Sequence, residues 1–328
     1  MFTAEQFGLR YRVGPVSMRL HAAKWAENPN ADAMNLLKLK LNRFLSARSQ
    51  GDGPQVAQLI ANKNLSVVFQ PIVGLQDGTI YAYEALARIN QLQAAGSAEA
   101  LFDAAKLQHQ EKPLELACIE LAIEQWAKKT NGAQLALNIS AATLVQLEHG
   151  PEDGPLLQLI DNCRLPSRVL TLEITHFRKG ISSSALATAV DKLRKQDVRI
   201  TFDDFRCTES HMKLWSKLTP SVVKMDMELT QGIANDEAKQ RRVRALVAMS
   251  KRYGSRLAAK GIENAEDICA LNEAGVDLGQ GYFLGSPDAN PADGLNLRAR
   301  QALESGWGPI DVSNATLSPA KTPASLRH

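Results

Sequence analysis

From Leu65 onward the chain alternates short apolar runs with amphipathic ones, and that alternation restricts its fold more than any other feature. Strand patterns cover Ser66–Ile72, Ile80–Leu86, Gln134–Ile139, Val169–Ile174, Val198–Phe202, Ser221–Met225 and Arg256–Ala259, with a last short one near Gly281–Leu284. Helical spacing of apolar residues fills Leu114–Lys129, Ser183–Lys195, Ala234–Tyr253 and Ala265–Ala274. Gln76-Asp77-Gly78 reads as a hairpin turn, which pairs the first two strands antiparallel. The later connections are long enough to return each strand parallel to the one before. Eight strands with intervening helices over roughly 220 residues predict an α/β fold, a TIM-like (β/α)8 barrel with an antiparallel first strand. The competing open, doubly wound sheet would carry a GxGxxG turn after an early strand, and none is present.

The flanks differ from this central stretch. Residues 1–62 read as a helical lead-in, with Leu36, Leu37, Leu39, Leu41, Phe44 and Leu45 at helical spacing. Eight Lys/Arg stand there against four Asp/Glu, an excess of four positive charges. This suits a solvated amphipathic helix packed on the main domain or a second subunit; it also suits a basic docking segment. Ser49 to Pro54 then break the pattern. The central domain is predicted over 63–290, and 291–328 form an extension that is disordered from about Trp307, where Pro, Ser and Thr replace large apolar residues.

Composition excludes several classes. A formal net charge of +3 is too small to mark a nucleic-acid binder. Cys118, Cys163, Cys207 and Cys269 are widely spaced without a CxxC pair, which predicts reduced thiols in a cytoplasmic setting, not a disulfide frame or zinc site. No apolar run is long enough to span a bilayer, and the charged N-terminus does not read as a secretory signal.

Chemistry in a barrel of this kind belongs at the C-terminal ends of the strands. Val198 to Phe202 runs straight into Asp203-Asp204, two adjacent carboxylates that form either a solvated turn or half of a cation site. The other strand ends supply Glu84, Asn138, Glu173, Lys224, Lys260 with Glu263, and Gln280. Five oxygen donors at one mouth suit hard cations, and a pair of such ions about 3.5–4 Å apart can clamp a phosphodiester. Metal-assisted phosphodiester hydrolysis, with Lys224 stabilising charge, is the reaction class suggested.

These residues carry a family resemblance. Phe69-Gln70-Pro71-Ile72-Val73 and Tyr83-Glu84-Ala85-Leu86-Ala87-Arg88 resemble the signature of EAL domains, the bacterial cyclic di-GMP phosphodiesterases. The likeness continues through Leu137 to Ser140, Leu172 to Thr175, Phe202 to Phe205 and Val223 to Asp226, and closes with Lys260-Gly261-Ile262-Glu263 and Gln280-Gly281-Tyr282. The resemblance implies Glu84, Asn138, Glu173 and Asp203 as ligands of one Mg2+ or Mn2+, and Asp203 with Asp204 as ligands of a second. It implies catalytic roles for Glu84, Lys224, Glu263 and Gln280, and nucleotide contacts from Gln70, Leu86 and Arg88, the last matched to phosphate by its planar donor fork.

Three departures surround that centre. Lys260 stands where the resemblance places a glutamate, a change of two charge units that opposes a second dication and removes a proton acceptor. Phe205 to His211 contain no glycine where the family has a glycine-rich loop. His176 replaces the carboxylate that anchors that loop. The expectation is a degenerate domain that binds cyclic di-GMP or a protein partner with impaired or absent hydrolysis; the alternative is an active phosphodiesterase making pGpG. A metal is expected only if the site is active, and homodimerisation is left open because the altered loop belongs to the family's pairing surface. A zinc site built on Cys207, His211 and His176 fits no standard spacing. The basic run Lys239, Arg241, Arg242, Arg244 and Lys251 reads as a solvated helix face, not a nucleic-acid contact, for no aromatic residues interleave.

Overall fold

Eight strands close into a barrel in sequence order in this computed structural model, which describes residues 56–89, 98–129, 133–149, 152, 154–163, 165–175, 177 and 180–304. They are β1 (Leu65–Gly74), β2 (Ile80–Ile89), β3 (Gln134–Ser140), β4 (Leu170–Thr175), β5 (Arg199–Phe205), β6 (Val222–Met225), β7 (Arg256–Ala259) and β8 (Leu278–Gly279). Every pairing from β2 through β8 is parallel, whereas β1 meets β8 antiparallel, with Val73 opposite Gly279 and Gly74 opposite Leu278. The turn after β1 is tied by Gly74 N–H to Thr79 O and by Asp77, which accepts from the Thr79 amide and hydroxyl. The expected barrel with its reversed first strand is therefore the fold observed.

The last strand sits elsewhere than predicted. Residues Gly281–Leu284 do not extend in the sheet; they turn around the backbone of Ile262, which donates to Gln280 O and accepts from Phe283 N–H. A Cβ at Gly281 would lie 2.1 Å from Ile262 O, so only glycine allows this approach. The strand itself is the two-residue segment just before, too short to leave an alternation in the sequence.

Outer helices follow the predicted spans at Ser183–Lys195 and Ala265–Ala274, capped by Ser182 and Asn264. The helix expected from Ala234 begins at Glu237, where Asp236 accepts from Ala238 and Lys239 N–H, after a single 3-10 turn at Ile233–Asn235. Helices at Ala98–Leu107, Ala141–Leu147, Pro155–Asn162, Glu209–Leu218 and Leu297–Glu304 are additional to those predicted. Between the helices and the barrel wall lies a core of Phe202, Phe205, Trp215, Val223, Leu246, Leu257, Ile268 and Leu271.

The described residues fall into two units. The smaller draws on the stretch ending at Ser66 and on Ala87–Ala117; there Val56 N–H donates to Gln108 Oε1 at 2.7 Å. The larger comprises Val67–Leu86 and the chain from Cys118. No described helix is long and apolar enough to cross a membrane. The segments before Val56 and after Glu304 lie outside the described residues, and the predictions made for them stand as expectations.

Candidate functional site

Strand alternation sets which side chains enter the barrel. Ile72, Ala82, Ala136, Val222, Ala258 and Leu278 form a small apolar layer inside it. Two residues away stand Gln70, Glu84, Asn138 and Lys224 on the same strands, and Lys260 and Gln280 just past the ends of β7 and β8, so the polar mouth rests directly on an apolar floor. The parallel register also brings Asn138 opposite Glu173. Glu84, Glu173, Asp203, Lys224 and Gln280 are all buried, which makes every missing partner costly.

Two ammonium groups organise the carboxylates. Lys224 is fully buried and its Nζ donates to Glu84 Oε2 at 2.8 Å and Glu173 Oε2 at 2.7 Å. Glu84 also accepts from Gln280 Nε2 at 2.7 Å and from Asn138 Nδ2 at 2.7 Å. Gln280 in turn reaches Gln70 Oε1 at 3.3 Å, and Gln70 Nε2 donates to Gly285 O at 3.1 Å. Across the mouth, Lys260 Nζ lies 2.9 Å and 3.0 Å from the two oxygens of Asp203 and 2.7 Å from Asp204 Oδ1.

The pair Asp203-Asp204 is presented by a local irregularity. The β5–β6 register shifts between Phe202 and Phe205, and Asp204 sits at φ +49°, a conformation a short polar side chain tolerates better than most. As a result adjacent aspartates, which in a regular strand would face opposite sides, both meet one ammonium.

Burial and charge pull the two glutamates apart. Burial alone would raise the Glu84 carboxyl, but Lys224 and then Lys260 outweigh it and hold it down at about 2. Burial pushes Glu173 up to about 8, with Lys224 opposing and Glu84 and Asp203 adding to the rise. Lys224 and Lys260 both stay firmly protonated: burial disfavours their charge, but Glu173 and Glu84 around Lys224, and chiefly Asp203 beside Lys260, overcome it.

The remaining predicted residues are placed less centrally. Glu263 is exposed past β7 and meets Gln231 Nε2 at 3.5 Å, apart from the hydrogen bonds of the ring. Leu86 and Arg88 are half-buried at alternate positions beyond Glu84 on β2, and Arg88 Nη1 donates to Ala87 O. His176 lies outside the described residues. The glycine-free loop is pinned, since Arg206 Nε meets Asp226 Oδ2 at 2.8 Å and Arg206 N–H donates to His211 Nδ1 at 3.0 Å. His211 also packs on Phe177, Phe202 and Phe205, an environment of aromatic rings and not of metal donors. Asp226 closes the Val223 to Asp226 motif without a role implied for it there; it caps the helix Met227–Thr230 as well as holding Arg206.

The oxygen donors Glu84, Asn138, Glu173 and Asp203 come from four neighbouring strands and have the hard chemistry a divalent cation requires. With the ammonium groups seated as described, no three His, Cys, Asp or Glu side chains among the described residues are grouped to hold a metal ion. The Asp203-Asp204 position in particular does not fit a second cation, because Lys260 Nζ already bridges both carboxylates.

A family profile described as EAL domain matches residues 55–287. Among curated relatives, the probable cyclic di-GMP phosphodiesterase PdeB of Escherichia coli is 25% identical over 240 residues, 72% of this chain and 45% of that protein. This chain spans 20% to 45% of the length of four of the curated relatives it matches. Among solved structures, the Xanthomonas citri FimX EAL domain in complex with c-diGMP has a TM-score of 0.63 at 18% identity, covering 78% of this chain and 97% of that one. The manganese and cy-diGMP complex of Klebsiella pneumoniae BlrP1 has a TM-score of 0.61 at 23% identity, covering 71% of this chain and 57% of that one. At these identities the structural likenesses show the fold.

Proposed function

The chain belongs to the EAL domain family, and from that premise we propose that it binds cyclic di-GMP in bacterial signalling while hydrolysing it poorly or not at all. The observation that carries this reading is the seat of Lys260, whose ammonium bonds both Asp203 and Asp204 where a hydrolytic site would need free oxygens. The cyclic di-GMP held in the FimX and BlrP1 structures supports cyclic di-GMP as the nucleotide. We place the EAL domain at 63–290, with 1–62 and 291–328 as flanking segments, in a cytoplasmic protein that acts through a protein partner or a second copy of itself.

In this reading Gln70, Leu86 and Arg88 hold the nucleotide, Arg88 by offering its guanidinium fork to a phosphate. Gln280 positions Gln70 and Glu84 together by donating to both. Lys224 keeps Glu84 ionised and Glu173 in place, which engages two of its three N–H donors and leaves one for a phosphate oxygen or water. Glu84, Asn138, Glu173 and Asp203 would hold a Mg2+ or Mn2+ ion, which supplies charge to a phosphodiester oxygen when bound. Lys260 cannot accept a proton from water while it donates to two aspartates, which removes a general base from the mouth.

Isothermal titration with cyclic di-GMP, with and without Mg2+ or Mn2+, tests binding. Chromatographic detection of pGpG tests turnover, with Asp203→Asn as the inactive control. Binding without turnover is expected. Turnover abolished by Asp203→Asn would instead establish the active phosphodiesterase, and absence of binding under both conditions would remove the nucleotide from this function.

A further inference from the structure

The mouth of the barrel carries its own cation at a position that two acidic side chains define. Lys260 Nζ is held by three acceptor oxygens, two from Asp203 and one from Asp204, all within 3.0 Å. That is a full set for an ammonium, which has three N–H donors and no lone pair. The side chain is 21% exposed and Asp203 is buried, so water screens that pair little, whereas the Asp204 side chain is 48% exposed. A dication entering between the same oxygens would meet a like charge within bonding distance.

The charge count points the same way. Glu84, Glu173, Asp203 and Asp204 bring four carboxylates, and Lys224 and Lys260 bring two ammonium groups. With all four carboxylates ionised the formal excess is two negative charges, and with Glu173 protonated it is one; two divalent ions would overturn either count. A single ion would draw on the Glu84, Asn138, Glu173 and Asp203 set and share Asp203 with Lys260, because the Asp203-Asp204 bridge is taken.

We propose that Lys260 is a built-in replacement for a second metal ion, so that the site takes at most one divalent cation per chain. The proposal deepens the reading of a nucleotide-binding, poorly hydrolytic site and rests on it for its biological meaning. Its physical content is a count of ions, which is independent of any nucleotide.

The test is Mn2+ binding to the intact chain without nucleotide, counted by electron paramagnetic resonance of free Mn2+ and by isothermal titration. The wild-type chain is expected to bind no more than one ion. Lys260→Glu, which makes the site more negative by two charges, is expected to bind one ion more than wild type. Lys260→Gln, which keeps the size of the side chain and removes its charge, is expected to gain a weaker additional site. Each variant is first checked for a cooperative melt and an unchanged circular dichroism spectrum. Two ions on wild type, or a count unchanged in whichever variants fold, would overturn the proposal. Since the count is made without cyclic di-GMP, failure of the nucleotide to bind leaves this result intact, and the reverse also holds.

Discussion

Gln280 donates through Nε2 to Glu84 at 2.7 Å, on the same carboxylate oxygen that Lys224 reaches at 2.8 Å. One oxygen thus takes a neutral and a charged donor from two different strand ends. The amide acts as a spacer that fixes where the glutamate stands while the ammonium fixes its charge.

Replacing Gln280 with alanine leaves Glu84 and Gln70 each short of a donor in a buried setting. The expected cost is about 1–3 kcal/mol, read from urea denaturation, with cyclic di-GMP binding weakened in parallel. A variant with wild-type stability and affinity would show that the amide is a bystander.

Lys224→Met keeps the length of the stem and removes the charge that two buried glutamates share. Breaking a buried pair from one side costs about 3–5 kcal/mol. The double variant Lys224→Met with Glu173→Gln should recover part of that loss, because one of the two carboxyls stranded by loss of the ammonium is removed; denaturation of the set forms a mutant cycle.

Stability should depend on pH through Glu173. Its carboxyl is raised to about 8 in the folded chain from an ordinary value near 4.5, so folding takes up a proton between those limits. The contribution is complete below the unfolded value and is lost as pH rises through the folded one. Melting temperature measured between pH about 5 and about 8 should therefore fall with rising pH, and Glu173→Gln, which mimics the protonated form, should flatten that slope.

Gly281→Ala places a Cβ 2.1 Å from Ile262 O and 2.3 Å from Ile262 N. Both neighbours are backbone, so the strain cannot be relieved by a rotamer. A loss of at least about 3 kcal/mol or failure to fold is expected, assayed by soluble yield and thermal melting. An alanine variant of unchanged melting temperature would contradict the packing described.

Much of this was legible before any coordinates. The period of the apolar residues announced the strands, and the polar residue closing each strand announced the mouth, because both are local properties of the chain. What sequence could not disclose was pairing at a distance. Nothing in Arg206-Cys207-Thr208 indicates that the arginine meets Asp226, twenty positions on, or that its amide is taken by His211. The helix Glu209–Leu218 did leave a signal: Thr208 caps it by accepting from His211 N–H, and Trp215 and Leu218 recur at helical spacing. Glu263 reads as part of the site by its motif alone, while the turn at Gly261, with φ +70°, carries the chain on to a surface position.

The join between β1 and β8 is a short one, with only Val73 opposite Gly279 and Gly74 opposite Leu278 in register. The bonds from Gln280 to Glu84 and Gln70, and from Gln70 to Gly285, cross that seam like a clasp. Whatever ligand draws Glu84 or Gln70 toward itself therefore also pulls on the fastening of the cylinder. Amide exchange at Val73 and Gly279 would register occupancy at the mouth as a change in how tightly the wall is shut.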